Sequence, residues 1–509
     1  MTSGERVDNR PRMPRASLAL LLAAAARAAG VDYPDQGAQA MARGGAFAAK
    51  ADDLTAIYYN PAGLAKQGGT RFLLHGNFVD QRLSFARAPR LDSGGAVQQR
   101  FDEVESTDGI YPVPFVAASS RFGLDRWTFA AGLYGPHTAG NRTFPKCIGV
   151  EANDSPDPCG GEEENYAPQR YLLTHQEFIT AFGTFGAAYR VARWLDVGAE
   201  FQWAYSTVVL EKATNALGSS LPSSDVIIRL GGEDGKMVDR FTPAFMVGAI
   251  ARPARGVEIG ASARPPLTLR HEGEVDLTPS QTLQDSGVAI SPDPARATLV
   301  MRLPWVVRGG VRYFREEQGF ETWDVELDGT YERYSVVDTI DLEFEPSLQV
   351  DSEALGASTI EVFRDPNGWS DTWSARLGGG YAFRRVGPGA LMLRAGGNYE
   401  APTQPLDYTQ LGFTGWKRFG AAAGAAYRWR GVTLSLGYSH LWHETREVTD
   451  TRFMTYDTVA GPPAPGQRCR DVEDAIHCTP IGNGTYRASI DLFAVGLDVA
   501  FDELLDRSR

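Results

Sequence analysis

Apolar and polar residues alternate along much of this chain with the two-residue period of a β-strand. In the segment 195–206, the odd positions are apolar or aromatic and the even positions are mostly small, polar or charged. The segment 432–442 repeats the pattern, with apolar residues at the even positions and Thr, Ser or Gly at most odd positions. Because successive side chains of a strand point to opposite faces, each segment predicts a strand with one apolar and one polar face.

The same unit recurs along the chain, with short turns and longer polar loops between strands. It predicts about fourteen strands, an even number as in bacterial outer membrane barrels: 70–87, 108–122, 127–143, 171–190, 195–211, 241–252, 257–276, 295–314, 320–341, 370–385, 389–401, 417–430, 432–450 and 485–501. We therefore expect an all-β fold, a transmembrane antiparallel β-barrel over residues 70–501. The longer connections, including 212–240 and 342–369, are expected as external loops. A soluble sandwich would also alternate, so the period alone does not decide between the two.

The N-terminus has the features of an exported protein. Residues 1–29 combine several arginines with an apolar run from Ala16 to Ala26 and small residues that suit cleavage, which predicts a signal peptide. After it, no apolar run reaches the roughly eighteen residues of a membrane helix. The formal net charge is −13, which argues against a nucleic-acid partner. If the chain enters a membrane, strands must cross it.

A Gly- and Ala-rich segment, residues 30–69, separates the leader from the first strand. It contains Ala51-Asp52-Asp53 and then Asn60-Pro61-Ala62-Gly63. Pro61 cannot donate to a ladder and Gly63 tolerates turn geometry, so we expect a compact irregular segment packed inside something larger. In these motifs the chain resembles the FadL/TodX-type outer membrane transport family, whose N-terminal hatch ends in the same Asn-Pro-Ala.

The resemblance extends over nearly the whole mature chain and implies both a fold and a function. It implies a hatch, or plug, inside the barrel, with Asn60, Pro61 and Ala62 as its motif. It also implies passive outer membrane transport of hydrophobic compounds, either long-chain fatty acids or hydrocarbons. The expected partners are a hydrophobic small molecule and outer membrane lipid, and we expect a monomer without a cofactor.

The third predicted strand contains a break. It runs from Trp127 to Tyr134 and then meets Gly135-Pro136. Proline removes a ladder donor and glycine permits a bend, so pairing should fail locally. In the family, a kink at a Tyr-Gly step of this strand makes a lateral opening, which the resemblance places at Tyr134, Gly135 and Pro136. Alternatively, Pro136 ends the strand near the outer rim.

Two basic residues are candidates for meeting a ligand carboxylate. Family members that take fatty acids use a basic residue at the top of the fifth strand, where Lys212 stands here. A second basic position precedes the tenth strand, but Asp365 occupies it, with Arg364 adjacent. The aspartate sets fatty acid specificity in question, and solvated loop charges are the alternative interpretation.

The four cysteines fall in two predicted external loops. Cys147 and Cys159 share one loop, and Cys469 and Cys478 share the other. In an oxidising compartment each pair could close a local disulfide. A zinc site of all four would need the loops to converge, and neither pair has the spacing of a zinc knuckle, so no metal is expected.

Acidic side chains on the polar strand faces raise the question of catalysis. Asp324, Glu326 and Asp328 share one face of a strand. Arg302, Arg308 and Arg312 alternate with apolar residues and are likewise expected on an inward polar face. A carboxylate pair can serve glycoside hydrolysis, whereas a barrel interior holds ion pairs of the same residue types. No Gly-x-Ser-x-Gly elbow, phosphate loop or His-Glu-x-x-His motif is present, so we expect a protein that is not an enzyme.

Three functions remain open: uptake of hydrophobic compounds, a general aqueous porin, and a structural or adhesive surface barrel. The C-terminus adds one further expectation. The last strand is predicted to end at Phe501, followed by a short polar tail, residues 502–509, on the periplasmic side.

Overall fold

The computed structural model describes residues 36–91, 95–135, 140–215, 221–232, 235–337, 339–352, 356–456 and 478–505. The predicted signal peptide, residues 1–29, lies outside these ranges. So do Pro136, Cys469 and the end of the predicted tail.

The strands in chain order are β1 (Thr70–Arg87), β2 (Arg90–Leu91), β3 (Val97–Gln99), β4 (Val104–Glu105), β5 (Tyr111–Ser120), β6 (Trp127–Tyr134), β7 (Gly140–Thr143), β8 (His175–Ala192), β9 (Leu195–Asn215), β10 (Asp225–Leu230), β11 (Met237–Ala254), β12 (Val257–Arg264), β13 (Leu267–Pro279) and β14 (Ala289–Ser291). They continue with β15 (Ala295–Leu303), β16 (Trp305–Glu317), β17 (Phe320–Arg333), β18 (Thr339–Ser352), β19 (Gly356–Pro366), β20 (Thr372–Val386), β21 (Gly389–Glu400), β22 (Arg418–Trp429), β23 (Val432–His443), β24 (Arg446–Val448), β25 (Met454–Tyr456), β26 (Cys478–Pro480) and β27 (Gly484–Ala500). The α-helices are α1 (Ala38–Met41), α2 (Ala56–Tyr59), α3 (Gln281–Asp285) and α4 (Phe501–Leu505). Short 3-10 helices occupy Pro61–Lys66, Glu163–Asn165, Pro222–Ser224, Tyr334–Val336 and Leu406–Tyr408.

The long strands pair antiparallel in a ring that closes on itself. Most long strands pair with the strand next to them along the chain, although β12 also pairs with β16 and β17 with β20. The last strand, β27, pairs with the first, β1, from Arg71 opposite Ala500 to Arg87 opposite Gly484. Closure leaves no free sheet edge at this seam. In hydrocarbon, where water cannot satisfy an unpaired N–H or C=O, a closed ladder is one of the few structures that can span.

The prediction of fourteen strands is wrong. When two segments separated only by proline are counted as one strand, the described residues form sixteen principal strands. The two additional strands are β18 and β19, which lie in the predicted external loop 342–369. β18 pairs with β15 and with β19, so this segment extends the sheet instead of forming a loop. β18 does alternate, with apolar residues at most even positions from Ile340 to Val350, whereas the alternation of β19 is irregular.

Most of the sheet presents apolar side chains to its outer surface. On β23, Leu434 is 58% exposed and Leu436 is 61% exposed, while the alternate residue Ser435 is buried. On β9, Asp196, Glu200 and Gln202 are buried on the opposite face. Apolar-out and polar-in is the order of a membrane barrel and the reverse of a soluble sandwich.

The sheet has two different ends. The two-residue turns at 193–194, 255–256 and 430–431 lie at one end, which we call the short-turn end. The longer connections lie at the other end, the long-loop end. No helix among the described residues is long and apolar enough to cross a membrane.

The described N-terminal segment, residues 36–69, is almost entirely buried and contacts strands on all sides of the ring. The helix α1 packs against β22, β23 and β27, and the 3-10 helix Pro61–Lys66 packs against β6, β8, β9 and β11. The close approach of this segment to the sheet depends on glycine residues of the strands. A Cβ atom at Gly260 of β12 would lie 2.1 Å from the carbonyl oxygen of Ala48, and one at Gly378 of β20 would lie 2.2 Å from that of Arg43. Small residues on both surfaces therefore allow backbone to pack on backbone.

The C-terminus is joined to the ring. β27 ends at Ala500, one residue before the predicted Phe501, and α4 follows. The Asp502 carboxylate accepts from the N–H of Thr70 at 2.8 Å, and Glu503 pairs with Arg428 at 2.5 Å. The first part of the predicted tail therefore contacts the start of β1 and the end of β22.

The glycine contacts generate a test of how the N-terminal segment is held. Replacing Gly260 with Val should displace the segment, because the new side chain would overlap the backbone of Ala48, while valine suits the strand itself. We expect trypsin to cleave the variant at Arg43 or Lys50, both of which are buried in the wild type. Mass spectrometry of the digested, folded protein measures this.

The control is Gly309→Val on the neighbouring strand β16. A Cβ atom at Gly309 meets nothing closer than 4.0 Å, so the control should stay as resistant as the wild type. Equal resistance of all three proteins would show that the segment does not depend on this contact.

Candidate functional site

An apolar cavity of about 280 Å³ lies toward the long-loop end. Side chains from eight strands and from the segments 172–173 and 410–413 line it. Its apolar lining residues include Phe178, Val208, Leu210, Ile228, Leu230, Leu299, Met301, Leu342, Phe344, Leu348, Phe363 and Phe413. The cavity can therefore hold an apolar compound away from water.

The inward apolar side chains of the cavity arise from a reversal of the strand pattern. On β12, Glu258 and Ser262 face inward and Ile259 faces outward, whereas on β13, Leu269 is buried and Arg270 is exposed. The reversal falls at Pro265-Pro266, between the two strands. The adjoining strands β15 and β16 change phase at Pro304 in the same way.

This reversal corrects one sequence-based assignment and shows what was missed. Arg302 was expected on the inward polar face with Arg308 and Arg312, but it is exposed on the outer face of β15, while Arg308 and Arg312 are buried. A proline shifts the ladder, so residues on its two sides do not share one parity. Pro304 itself was the available signal for the cavity, because apolar residues keep the odd positions on both sides of it.

The charged groups at the cavity form an ion pair. Lys212 Nζ lies 3.4 Å from Asp365 Oδ2, and its ammonium group lies 5.9 Å from the centre of the Phe363 ring. Both Lys212 and Asp365 line the cavity. The lysine charge at this site is therefore neutralised by a residue of the protein itself.

The other carboxylate-binding candidate, Arg364, does not line the cavity. Its side chain is 70% exposed, and Nε lies 3.8 Å from Asp341. Arg364 and Asp365 are consecutive residues of β19, so their side chains point to opposite faces. The strand places the acid, and not the base, beside Lys212.

Among the described residues, the ladder of the wall has an interruption between β6 and β7, across residues 136–139. β6 ends at Tyr134, opposite Phe182 of β8, and β7 begins at Gly140, opposite Phe178. On the other side, β5 pairs with β6 only from Phe115 to Ser120. Among the described residues, which exclude 136–139, nothing on β6 or β7 pairs with Tyr111–Pro114 of β5.

Tyr134 and Gly135 at this interruption contact the N-terminal segment. The amide of Gln36 donates to the carbonyl oxygen of Gly135 at 2.9 Å. The ring of Tyr134 lies between Phe115 and Phe182, with ring centres 5.2 and 5.8 Å away, and meets Tyr58 edge-on at 5.7 Å. The N-terminal segment thus contacts the end of β6, where the described ladder stops.

Buried apolar side chains connect the cavity to the wall interruption. A single cluster includes Phe178 and Phe344 at the cavity, Phe182 and Tyr134 at the wall, and Tyr58 of the N-terminal segment. Apolar side chains are therefore in contact from the cavity to the wall, with Arg264 over the ring of Phe182 and Arg308 over that of Tyr58.

The predicted motif Asn60-Pro61-Ala62 joins the N-terminal segment to β11. The amide of Asn60 donates to the carbonyl oxygens of Ala48 at 2.8 Å and Ala249 at 3.2 Å. Its oxygen accepts from the N–H of Ala62 at 3.1 Å, which caps the following 3-10 helix. An asparagine is suited to this position because its side chain both donates and accepts.

The aligned carboxylates of β17 hold the same segment. Arg43 pairs with Asp324 at 2.7 Å and with Glu326 at 3.1 Å. Glu326 also accepts from the N–H groups of Ala49 and Lys50, and Asp328 accepts from those of Phe47 and Ala48. These carboxylates therefore bind backbone N–H groups and the buried guanidinium of Arg43. This is the structural role that the sequence offered as the alternative to a catalytic carboxylate pair.

The neighbouring Asp52 and Asp53 have different electrostatic environments. Burial raises the pKa of Asp53 to about 7, although Thr55 donates to its carboxylate. For Asp52, burial opposes ionisation, but Lys50 and Arg312 outweigh it and lower the pKa. The basic neighbours therefore favour the charged form of Asp52, whereas burial favours the neutral form of Asp53.

The comparison with known families identifies the chain. The sequence model of the family described as outer membrane protein transport protein (OMPP1/FadL/TodX) matches residues 172–467, more than half of the chain. This protein belongs to the OMPP1/FadL/TodX family. It is thus an outer membrane protein of a transport family, as its sequence predicts.

Solved structures share the fold of this OMPP1/FadL/TodX protein. A Pseudomonas aeruginosa FadL homologue is 14% identical, with a TM-score of 0.67, and the match covers 94% of this chain and all of the other. The toluene transporter TodX of P. putida is 17% identical, with a TM-score of 0.58 and coverage of 92% and 99%. The toluene transporter TbuX of Ralstonia pickettii is 14% identical, with the same TM-score and coverage. No curated protein matches the sequence.

One predicted cysteine pair can be located in this family member. The sulfur atoms of Cys147 and Cys159 are bonded, with 5.5 Å between the Cα atoms. Cys469 and the side chain of Cys478 lie outside the described residues, so the second disulfide stays a prediction. Among the described residues, no group of three or more potential metal ligands occurs.

The Lys212–Asp365 pair generates a prediction about ligand charge. Replacing Asp365 with Asn should leave the Lys212 ammonium available to a carboxylate. The affinity for a long-chain fatty acid should then rise by about three- to tenfold, which is the contribution of a charge-assisted hydrogen bond weakened by partial exposure to solvent. Calorimetric titration of the purified protein with hexadecanoate and with hexadecane-like neutral ligands measures this.

The matched control is Asp341→Asn, which removes the partner of the exposed Arg364 and should change neither affinity. If Asp365→Asn left fatty acid affinity unchanged, the ion pair would not determine ligand charge.

Proposed function

We propose that this protein is a passive channel for uncharged hydrophobic compounds. The ligand binds in the cavity at the long-loop end, follows the buried apolar cluster, and leaves sideways into the membrane near Tyr134 and Gly135. The continuous apolar cluster between cavity and wall is the observation that carries this proposal.

The size and lining of the cavity support a small apolar ligand. Its volume is about 280 Å³, and an apolar cavity of about 150 Å³ is enough to bind benzene. Two related structures are described as toluene transporters. A monoaromatic hydrocarbon or a similarly compact neutral compound fits both the volume and the neutralised Lys212.

The physical chemistry of the ligand favours lateral exit over an aqueous pore. Each methylene moved from an apolar environment to water costs about 0.8 kcal/mol. A ligand that moves from the cavity through the wall into lipid stays in apolar surroundings. The concentration gradient and partitioning into the membrane can then drive transport without energy coupling.

The N-terminal segment acts in this proposal as the hatch, with Asn60, Pro61 and Ala62 anchoring its end. Its contacts with strands on all sides of the ring support a plug that prevents free passage of water and ions. A general porin would need an open aqueous passage through the barrel. The disulfide between Cys147 and Cys159 would serve an adhesive surface loop equally well, but an adhesive barrel would not need the internal cavity.

Uptake by cells that produce the protein tests the proposal. Labelled toluene should enter faster than into cells without it, whereas labelled hexadecanoate should not. A protein that produced large, steady ion currents in planar bilayers would instead be a porin, and one without any effect on uptake would leave the adhesive function.

A substitution at Gly135 tests the proposed exit route separately from transport. A Cβ atom at Gly135 would lie 3.0 Å from the carbonyl oxygen of Thr180 and 3.8 Å from Val113. Gly135→Trp should therefore fill the interruption and slow toluene uptake several-fold, while Leu133→Trp, at an exposed lipid-facing position of the same strand, should not. Normal uptake by folded Gly135→Trp protein would refute lateral exit at this site but not transport itself.

A further inference from the structure

The short-turn end carries many basic residues although the whole chain has a net charge of −13. Exposed arginines occur in or beside most of its turns. They are Arg126, Arg193, Arg255, Arg315, Arg384, Arg385, Arg428 and Arg430. Fewer exposed acids accompany them, among them Glu317 beside Arg315 and Glu503 beside Arg428. The proposed transport path uses none of these residues.

Three of these arginines line one groove. A groove of about 550 Å³ lies between the turns 193–194 and 255–256, and Arg315 and Glu316 line it beside Arg193 and Arg255. Arg315 pairs with Glu317 at 3.0 Å, which leaves Arg193 and Arg255. Neither has an ion-pair partner within the part of the chain that the structure describes. Two guanidinium groups without a carboxylate partner therefore face the same space.

A fourth arginine lines the groove but is held by the barrel. Arg252 pairs with Asp196 at 2.8 Å and with Glu258 at 3.1 Å. These two carboxylates are buried, and they fix the guanidinium beside the groove while neutralising much of its charge. The positive charge available to a ligand thus comes from Arg193 and Arg255, with Glu316 as the one acid on the same lining.

Aromatic side chains place this groove at the membrane boundary. Trp194 and Tyr313 line it, and they are 57% and 49% exposed. Exposed Trp and Tyr at the end of a lipid-facing strand are typical of the membrane–water interface. Directly along the wall, Ile259 and Val311 continue the exposed apolar surface. The groove therefore meets water at one side and lipid at the other.

We propose that this groove binds the phosphate group of an anionic phospholipid. Guanidinium groups bind phosphate oxygens in a bidentate manner, and the weak hydration of arginine suits an interfacial site. The acyl chains would lie along Ile259 and Val311. The shared chemistry is a phosphate, which free inorganic phosphate would also provide, but the adjoining apolar surface favours a lipid.

Lipid titration monitored by native mass spectrometry tests the proposal. The purified protein in a maltoside detergent is titrated with dioleoyl phosphatidylglycerol and, separately, with dioleoyl phosphatidylcholine. The wild type should retain phosphatidylglycerol in preference. The double variant Arg193→Gln/Arg255→Gln should lose that preference, with affinity for phosphatidylglycerol reduced on the order of tenfold.

A charge-matched control separates this site from general attraction. Arg296→Gln/Arg302→Gln removes two exposed arginines from the outer face of β15 and should bind phosphatidylglycerol like the wild type. Arg193→Lys/Arg255→Lys keeps the charge and should retain part of the preference, which also shows that changes at these positions permit folding.

Three results would overturn the proposal. One is equal phosphatidylglycerol affinity in the wild type and the Gln double variant. Another is equal retention of phosphatidylglycerol and phosphatidylcholine by the wild type. The third is complete displacement of the lipid by millimolar inorganic phosphate, which would identify a simple anion site instead.

Discussion

Backbone hydrogen bonding in hydrocarbon is the constraint on which this structure depends. An N–H or C=O group that faces lipid has no water to bind, so the sheet must close from β1 to β27. The described ladder stops at Tyr134 and resumes at Gly140. Beside it, the Gln36 side chain donates to the carbonyl oxygen of Gly135 at 2.9 Å. The N-terminal segment thus satisfies a backbone acceptor at the last described residue before 136–139.

The same sheet meets different surroundings at different heights, and its side-chain pattern changes accordingly. Where lipid surrounds it, the outer face is apolar and the inner face is polar. Beyond Pro265-Pro266 and Pro304 the outer face carries charged residues such as Arg270 and Arg302, and apolar residues turn inward. Apolar side chains are buried in both parts, by lipid in one and by the barrel itself in the other. The cavity results from this exchange.

Charges inside the barrel are matched locally and serve to position backbone. Arg43 is buried between Asp324 and Glu326, and the carboxylates of β17 accept N–H groups from the N-terminal segment. Burying a charge without a partner is costly, so an interior with so many ionic groups requires such pairing. The Lys212–Asp365 pair follows the same rule at the cavity, and in doing so it leaves a largely uncharged binding space.

The sequence by itself determined the strand pattern, the barrel class and the family, because alternation is a local property and Asn60-Pro61-Ala62 is a short motif. The bounds of β1 (Thr70–Arg87) are those predicted. Tertiary structure alone decided which distant residues meet. Lys212 and Asp365 are 153 residues apart, and Arg43 and Asp324 are 281 apart. Their contacts depend on strand register, and a shift of one residue would have put Arg364 beside Lys212 in place of Asp365. Register is set by closure of the whole ladder and by the prolines that interrupt it, which no local pattern specifies.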